Sequence, residues 1–455
     1  MSNLSESVEP VESVEPAWPA PTANGPLDAT ITIPGSKSLT NRALPLAALA
    51  SEPTTIRGAL SSRDSDLMIG ALRALGTQIE ASDHGSTLHI TPGPVTGDVT
   101  VDCGLAGTVM RFIPPIAALA DGPVRLDGDP AARQRPMGPV LRALTDLGVS
   151  VTSSGDQSQA SAGPAGESNV PGYLPVVVHG TGAVRGGEIE VDSSASSQFV
   201  SALLLAAPRF ADGLTVRHVG EVLPSKPHID MTIACLRDRG VSVAEPADGV
   251  WQVAPGPITG GEVRIEPDLS NAAPFLAAAL AAGGTVRIPG WPAESTQPGM
   301  LLPGFLQQLG AQVEVTDGVL SVTGTGTVAP VDLDLSAAGE LTPAIAALAA
   351  LADGVTHLRG VAHLRGHETN RLAALVTEIT RLGGQAEELP DGLVIRGGNL
   401  HGARVETYAD HRMATFAAII GVAVPEVGVV DVATTAKTIP DFPGLWRELF
   451  DSTGR

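Results

Sequence analysis

Residues 34–42, with the sequence PGSKSLTNR, bring together two cations and four hydroxyl or amide side chains. An apolar run, residues 43–50, follows directly and is typical of a helix. Ser38 and its neighbours are residue types that cap helices, and a helix N-terminus offers free N–H groups and a positive dipole end. Lys37 and Arg42 add full charges. The stretch therefore predicts an anion-binding cradle at the start of a helix.

The chain contains only three lysines, Lys37, Lys226 and Lys437, whereas all its other basic residues are arginine. Each lysine stands beside Ser or Thr, with Pro nearby. A compact ammonium group suits phosphate contact or proton transfer, which is one interpretation of this pattern. The other is that these are solvated lysines in turns. The stretch around Lys37 is not a P-loop, because the first glycine and the Gly-Lys dipeptide of that motif are missing.

Composition excludes several classes of function. The net charge of −21 and an aromatic content of 3% argue against nonspecific nucleic-acid binding. Two distant cysteines, Cys103 and Cys235, form neither a disulfide framework nor a metal-ligand cluster, so we expect no structural zinc. No apolar run reaches the length of a membrane span, and the N-terminus lacks a signal-peptide pattern. We therefore expect no membrane association and a cytoplasmic location.

Six copies of one pattern run along the chain: a polar helix start, an Ala/Leu-rich helix, a turn and a β-branched strand. They cover residues 41–58, 107–128, 196–220, 271–290, 340–360 and 410–432. A second helix and a strand follow the first five copies, giving an α/β unit of the form β-α-β-α-β-β. The distance from the end of the second copy to the end of the third is longer than the other distances between copies, and the polar loop 153–172 accounts for the excess. A plain doubly wound sheet is the alternative.

The six copies divide into a first group of three and a second group of three, which suggests two similar domains. We predict a first domain at residues 34–265 and a second at 27–33 plus 266–455. Residues 1–26, which begin with repeated Val-Glu-Ser and Val-Glu-Pro, are predicted to be a disordered tail.

The predicted helix starts carry polar and charged groups that symmetry would direct towards one cleft. They are Gly107, Thr108 and Arg111, then Ser196, Ser197 and Gln198, then Ser270 and Asn271, then Glu340, and finally Asp410, His411 and Arg412. Together with Lys37, Arg42, Arg135, Arg371 and Lys437 they predict a pocket for two or more anionic groups. Phosphates and carboxylates are the expected ligands.

These residues lie in motifs of a known family. The motifs are PGSKSLTNRA, LAGTVMR, RQRPMG, SSQF, SKPH, RGHETNRL, DHRMA and TAKTIPD, in this order along the chain. From about Leu27 onward the chain resembles the enolpyruvylshikimate-phosphate synthases. The resemblance implies an inside-out α/β barrel of two domains, built from six repeats and closing on shikimate 3-phosphate and phosphoenolpyruvate. It also implies enolpyruvyl transfer to the 5-hydroxyl of shikimate 3-phosphate, with no metal requirement. We expect no cofactor, and we expect the protein to be a monomer.

The resemblance assigns residues to each substrate. For shikimate 3-phosphate it implies Lys37, Ser38, Arg42, Ser196, Ser197, Gln198, Ser225, Glu340, His363 and His367. For phosphoenolpyruvate it implies Lys37, Gly107, Thr108, Arg135, Gln198, Arg371, Arg412 and Lys437. Because one hydroxyl must lose a proton while a methylene carbon gains one, a base and an acid are required. Lys37, Glu340 and Glu368 are the candidates.

The sequence departs from the usual family pattern at several positions in and beside these motifs, and Leu105 and Phe112 beside the Gly107 turn are two of them. Glu340 replaces Asp, His367 replaces Lys, His363 replaces Asn and His228 replaces Tyr. The roles of the three histidines are therefore open.

A related family transfers enolpyruvyl to UDP-N-acetylglucosamine, and it is the alternative function. It is expected to carry a reactive cysteine in a mobile loop. Cys103 is the nearest thiol to the Gly107 turn, and it resembles a buried residue at a strand end.

Overall fold

A computed structural model describes residues 16–154 and 170–451 of the chain. Its helices form two sets that alternate along the sequence, the odd-numbered and the even-numbered helices. Helices α1, α3, α5, α7, α9 and α11 are the predicted Ala/Leu-rich helices, and nine of the ten residues of α7 are buried. In the described residues the helices are α1 (Lys37–Ala48), α2 (Arg63–Ala74), α3 (Gly107–Ala117), α4 (Gly138–Asp146), α5 (Gln198–Ala206), α6 (Lys226–Asp238), α7 (Ala273–Ala282), α8 (Leu302–Gln308), α9 (Thr342–Leu351), α10 (Arg371–Arg381), α11 (His411–Ala423) and α12 (Phe442–Asp451).

The strands are short and form six sheets over the described ranges. They are β1 (Ala17–Pro19), β2 (Leu27–Thr30), β3 (Thr54–Arg57), β4 (Gln78–Ser82), β5 (Thr87–Thr91), β6 (Val99–Asp102), β7 (Pro123–Asp127), β8 (Ser150–Ser153), β9 (Val176–His179), β10 (Gly187–Val191), β11 (Leu214–His218), β12 (Val243–Ala247), β13 (Val250–Val253), β14 (Gly261–Arg264), β15 (Gly284–Pro289), β16 (Gln312–Thr316), β17 (Val319–Gly324), β18 (Asp332–Asp334), β19 (Val355–Arg359), β20 (Gln385–Leu389), β21 (Gly392–Arg396), β22 (Arg404–Val405) and β23 (Gly428–Val430).

The topology of the sheets confirms the predicted repeat. In the second unit β6 and β7 are parallel and joined through α3, and β9 and β8 then add antiparallel strands in the order β6-β7-β9-β8. The orders β10-β11-β13-β12 and β18-β19-β21-β20 repeat this arrangement. Each sheet has one buried face, and the odd-numbered helices pack under these faces, so the helices lie inside and the sheets outside. This is the expected inside-out α/β fold.

Two units take their first strand from a distant part of the chain. Strand β14 pairs in parallel with β3, and β2 pairs in parallel with β15. The sixth unit is shorter than the predicted repeat, because β22 and β23 are followed by α12 rather than by two further strands.

The prediction of a disordered tail over residues 1–26 is wrong for its last part. Strand β1 pairs antiparallel with β23, and the ring of Trp18 contacts Phe442 at a centroid distance of 6.1 Å. Ala20 is buried, and the Thr22 hydroxyl donates to the carbonyl of Gly421. Burial of aromatic and aliphatic side chains therefore orders this segment. Its Pro-rich composition did not predict this burial. Residues 1–15, and most of the predicted loop 153–172, lie outside the described residues.

Two hydrophobic cores organise the part of the chain that the structure describes. One is built from buried residues between Ala43 and Ile265, and the other from residues 20–33 and from Leu269 to Leu449. The chain crosses between them twice, and the two crossings pair at Gly35 and Pro267. A Cβ at Gly35 would lie 1.9 Å from the carbonyl oxygen of Gly58, so this close approach requires glycine. No helix in the described ranges is both long and apolar enough to cross a membrane.

Candidate active site

A single cleft between the two cores collects the starts of the odd-numbered helices. The predicted pocket and substrate residues that line it are Lys37, Ser38, Gly107, Thr108, Arg111, Arg135, Ser196, Gln198, Ser225, Ser270, Glu340, His367, Glu368, Arg371, His411, Arg412 and Lys437, and His228 lies beside them. The two halves meet directly, because His228 Nε2 of the first lies 3.9 Å from Glu340 Oε1 of the second. Residues that are far apart in sequence thus form one polar pocket.

Three predicted substrate residues do not line this cleft: Arg42, Ser197 and His363. Arg42 is 1% exposed, and its Nε donates to Thr232 Oγ1 at 2.7 Å. Its other nitrogens donate to the carbonyl oxygens of Ser38 and His228, both at 2.9 Å. The guanidinium therefore joins α1 to α6 behind the cleft wall. Ser197 is likewise buried.

Lys37 lies in the middle of the cleft at the first residue of α1. The Ser36 side chain caps this helix by accepting from the backbone N–H of Leu39. Lys37 Nζ is 3.6 Å from Asp64 Oδ2. Burial lowers the pKa of Lys37; Asp64 opposes this effect and Lys437 adds to it. A lysine with a lowered pKa loses its proton more readily than an exposed one.

Glu368 is held between two cations. Its Oε1 accepts from Lys437 Nζ at 2.6 Å, and its Oε2 accepts from Arg371 at 3.0 Å. Burial would raise the pKa of Glu368, but Lys437 and Arg371 outweigh it and hold the pKa well below the usual range. The carboxylate is therefore ionised and weakly basic. Arg371 also donates twice to Asp410, which caps α11 by accepting from the N–H of Arg412 at 2.8 Å.

Glu340 has a different environment, in the short 3₁₀ turn Gly339–Leu341 before α9. Its Oε1 accepts from the Ser270 hydroxyl at 3.2 Å, and its side chain is 16% exposed. Within the described part of the chain no lysine or arginine pairs with it. Its carboxylate therefore keeps lone pairs available to a ligand in the cleft.

Four histidines surround these groups, and all are driven towards the neutral form. Burial lowers the pKa of His228 and His363, although Glu340 opposes the effect in both. Burial holds the pKa of His367 and His411 well below the usual value, with Arg371 adding to the effect at His367 and Arg412 at His411. His363 lies behind His367, at a ring distance of 5.7 Å. At neutral pH His367 therefore does not supply the charge of the lysine it replaces.

Two arginines bring positive charge to the cleft from the first half. Arg111 stacks over Phe199 and donates to Gln198 Oε1 at 2.7 Å. Burial lowers the pKa of Arg111 to about 9, and Arg135 adds to the effect. Arg135 donates to the carbonyl oxygen of Leu105 at 3.1 Å. Neither arginine forms an ion pair with a carboxylate of the described residues, so the pair is available for an anion.

Among the lining residues that sequence reasoning missed are Asp64, Asp268 and Gln297. Asp64 lies in the first turn of α2, whereas the helix starts predicted from the repeat belong to the odd-numbered helices. Asp268 stands two residues before Ser270. An acidic residue close to a predicted helix start was the signal that could have identified it. Lys226 was wrongly grouped with the other lysines. It pairs with Asp230 at 2.7 Å on the exposed start of α6, outside the cleft.

The cleft thus combines anion-binding cations, an ionised and shielded carboxylate, an accessible carboxylate and a lysine of lowered pKa. Such a site can bind two anionic molecules and move protons between them.

Comparison with known proteins agrees with this geometry. A family model described as EPSP synthase (3-phosphoshikimate 1-carboxyvinyltransferase) matches residues 21–446. A 3-phosphoshikimate 1-carboxyvinyltransferase of Kocuria rhizophila is 53% identical over 447 residues, which cover 96% of this chain and 97% of that protein.

Solved structures share the fold. An EPSP synthase from Acinetobacter baumannii has a TM-score of 0.77 at 23% identity, covering 96% of this chain and 98% of that one. The enolpyruvyl transferase NikO from Streptomyces tendae has a TM-score of 0.74 at 17% identity, covering 96% and 97%. On the match to the family model and the identity to the Kocuria protein, this chain belongs to the EPSP synthase family.

Proposed function

We propose that this chain transfers the enolpyruvyl group of phosphoenolpyruvate to the 5-hydroxyl of shikimate 3-phosphate and releases phosphate. The reaction belongs to the shikimate pathway of aromatic amino-acid biosynthesis. The observation that carries the proposal is the cluster of cations in one cleft, among them Arg111 and Arg135, which have no carboxylate partner among the described residues. Both substrates are anionic, and family membership supports the same reaction.

Shikimate 3-phosphate is proposed to lie along the first half of the cleft. Its phosphate would accept from serine hydroxyls and from Lys37, since hydroxyl and ammonium donors suit phosphate oxygens. The residues proposed for this substrate are Lys37, Ser38, Ser196, Gln198, Ser225, Glu340 and His367. Arg42, Ser197 and His363 support them from behind the wall, Arg42 through the carbonyl groups of Ser38 and His228.

Phosphoenolpyruvate is proposed to bind where guanidinium and ammonium groups from both halves converge. Arg371 is fixed by Asp410 and Glu368, so its orientation is set before the ligand arrives. The residues proposed for this substrate are Lys37, Gly107, Thr108, Arg135, Gln198, Arg371, Arg412 and Lys437. Gly107 allows close approach because it has no Cβ beside Arg135.

Glu340 is proposed as the group that removes the proton from the attacking hydroxyl. The hydroxyl oxygen forms a bond to C2 of phosphoenolpyruvate while C3 gains a proton, which gives a tetrahedral adduct. The C–O bond to phosphate then breaks, C3 loses a proton, and the enol double bond forms again. Ionised Glu340 is a weak base, so placement beside the hydroxyl contributes more than basicity.

Lys37 is proposed as the proton donor to C3, because its lowered pKa favours donation. Glu368 is the rival proton carrier, although its two cation contacts keep it ionised. No metal or cofactor enters this scheme.

The alternative acceptor, UDP-N-acetylglucosamine, is less well supported. Cys103 is fully buried, and burial raises the pKa of its thiol. Burial also raises the pKa of Cys235 to about 11. Thiols in these environments are poor nucleophiles.

We propose further that the two cores are two domains, residues 34–265 and residues 27–33 plus 266–455. The large exposed apolar side chains are scattered along the chain, which supports a monomer. Both cysteines are free thiols, which supports a reducing compartment such as the cytoplasm.

Phosphate release tests the function. The purified chain is mixed with phosphoenolpyruvate and either shikimate 3-phosphate or UDP-N-acetylglucosamine, and phosphate is measured with time. Release only with shikimate 3-phosphate is the expected result. Release only with the UDP-sugar would replace the proposed acceptor, and release with neither would refute the proposal.

A further inference from the structure

The turn that leads into α11 has an unusual backbone. Tyr408 and Ala409 are consecutive non-glycine residues with φ of 55° and 54°, a left-handed conformation that L-residues rarely adopt. The next three residues are Asp410, His411 and Arg412. His411 and Arg412 line the cleft, and Asp410 fixes Arg371. The conformation of this turn therefore determines where the start of α11 lies.

Helix α10 contacts this turn at two points. Arg371 in its first turn donates to Asp410 at 2.7 and 3.1 Å. Glu378, seven residues later, lies on the same face of the helix, because seven residues correspond to nearly two full turns. Glu378 Oε1 accepts from the Tyr408 hydroxyl at 2.6 Å. Both ends of the turn are thus attached to one rigid element.

Glu378 is fully buried and is bonded to more than Tyr408. Its Oε2 accepts from the backbone N–H of Glu406 at 3.2 Å and pairs with Arg381 at 2.9 Å. Burial and the bond to Glu378 raise the pKa of Tyr408 to about 12, so its hydroxyl remains a donor. Neither Glu378 nor Tyr408 lines the cleft.

We propose that Glu378 and Tyr408 form a positioning pair that holds the left-handed turn at Tyr408 and Ala409, and thereby places Arg412 for the phosphoenolpyruvate anion. The pair acts through the backbone and touches no substrate. This inference rests on the proposed function for the identity of the anion, whereas the contacts of the turn do not depend on it.

The chain offers a matched test, because its two tyrosines, Tyr408 and Tyr173, are both exposed, by 39% and 50%, and Tyr408 donates to Glu378. Tyr408→Phe removes one hydroxyl from the pair. The KM for phosphoenolpyruvate is expected to rise about fivefold, as one lost hydrogen bond implies, with kcat and the KM for shikimate 3-phosphate within about twofold. Tyr173→Phe should leave all three constants unchanged. An unchanged KM in Tyr408→Phe, or an equal change of both KM values, would overturn the proposal.

A rescue variant separates positioning from general destabilisation. Glycine adopts positive φ without the steric cost of a Cβ. Adding Ala409→Gly to Tyr408→Phe is therefore expected to return the KM for phosphoenolpyruvate to within about twofold of the wild-type value. A KM that stays raised or rises further would mean that the pair does not act by holding the turn.

Hydrogen exchange gives a readout that needs no catalysis. The amides of residues 409–413 are expected to exchange faster in Tyr408→Phe than in the wild type or in Tyr173→Phe. Unchanged exchange would contradict the inference. A wild-type chain that releases no phosphate would instead refute the proposed function, and the exchange measurement would still decide the role of the pair.

Discussion

Asp268 Oδ2 lies 3.1 Å from the backbone nitrogen of Lys37, across the point where the chain passes between the two cores. The other oxygen of the same carboxylate accepts from the N–H of Asn271 at 3.0 Å, in the turn before α7. One side chain therefore binds the N-terminal regions of the first helix of each core. It thereby links Lys37 to the segment at Pro267, where the chain passes from the first core to the second.

Asp268→Asn is expected to weaken this connection, because one carboxylate oxygen becomes an NH₂ group that cannot accept. Loss of a helix-capping contact costs about 0.5–2 kcal/mol, so we expect a decrease of that size in the free energy of unfolding. The KM for shikimate 3-phosphate should rise as well. Urea denaturation and steady-state kinetics measure the two effects. Asp230→Asn, at an exposed pair with Lys226, is the control, and equal effects in both variants would contradict the assignment.

Glu340→Gln keeps the shape of the side chain and removes the proposed base. We expect kcat to fall about 10²-fold or more, the usual loss for a general base, with much less change in shikimate 3-phosphate binding. Rapid-quench kinetics and calorimetry check these expectations. Glu368→Gln is the comparison, since this residue is the rival proton carrier. If Glu340→Gln kept nearly full kcat and Glu368→Gln did not, the two roles would have to be exchanged.

Gly107→Ala would add a Cβ at 3.0 and 3.2 Å from the two terminal nitrogens of Arg135. The flexible guanidinium must then shift by a few tenths of an ångström. We expect a moderate rise in the KM for phosphoenolpyruvate and a larger rise in the inhibition constant for glyphosate, which we propose competes at this site. Gly70→Ala, which meets no atom within 4 Å, is the control. Equal inhibition constants for wild type and Gly107→Ala would mean that Gly107 does not line the pocket.

The stability of the chain should decrease as the pH falls below about 6.5, the usual pKa of histidine. His411 is only 5% exposed, and its pKa in the folded state is lowered. The unfolded chain therefore takes up the proton first, and each such histidine lowers the free energy of unfolding by up to about 1.4 kcal/mol per pH unit. Urea denaturation at pH 7.5, 6.5 and 5.5 measures this slope.

One variant tests the cause of that slope, because His411→Gln should reduce it. A separate loss is expected at lower pH. Glu368 has a lowered pKa when folded, so its contribution is present above about pH 4.3 and disappears as the pH falls through the folded value. A stability that does not change between pH 7.5 and 5.5 would contradict the assignment to His411.

Binding of shikimate 3-phosphate should close the cleft further in solution. Lys37 of one half and Lys437 of the other are close enough to affect the pKa of Lys37, and Arg412 adds to the repulsion. Without an anion between them, these like charges favour separation of the halves. Small-angle scattering should show a smaller radius of gyration at saturating ligand. An unchanged radius would argue against closure.

The sequence predicted those features whose signals are local. Lys37 and the Asp410–Arg412 motif lie at helix starts, and capping chemistry there depends on neighbouring residues. The six repeats were found because each copy carries its own hydrophobic pattern. Strand β1 was missed because its stability comes from β23, about 400 residues away. Asp64 and Asp268 were missed because both contact Lys37 from other parts of the chain: Asp64 pairs with its Nζ, and Asp268 accepts from its backbone N–H. Lys226 was misassigned because its motif resembles the others and only its exposure distinguishes it.

The pairing of β2 with β15 also affects the order of events during synthesis. Leu27 is opposite Gly284, about 260 residues later in the chain. At translation rates of about 5–20 residues per second, β2 has no partner strand for roughly 10–50 seconds after it is made. The first core can form in this interval, because β14 completes its sheet before β15 is synthesised. The nascent chain must therefore keep the unpaired edge of β2 protected until β15 leaves the ribosome.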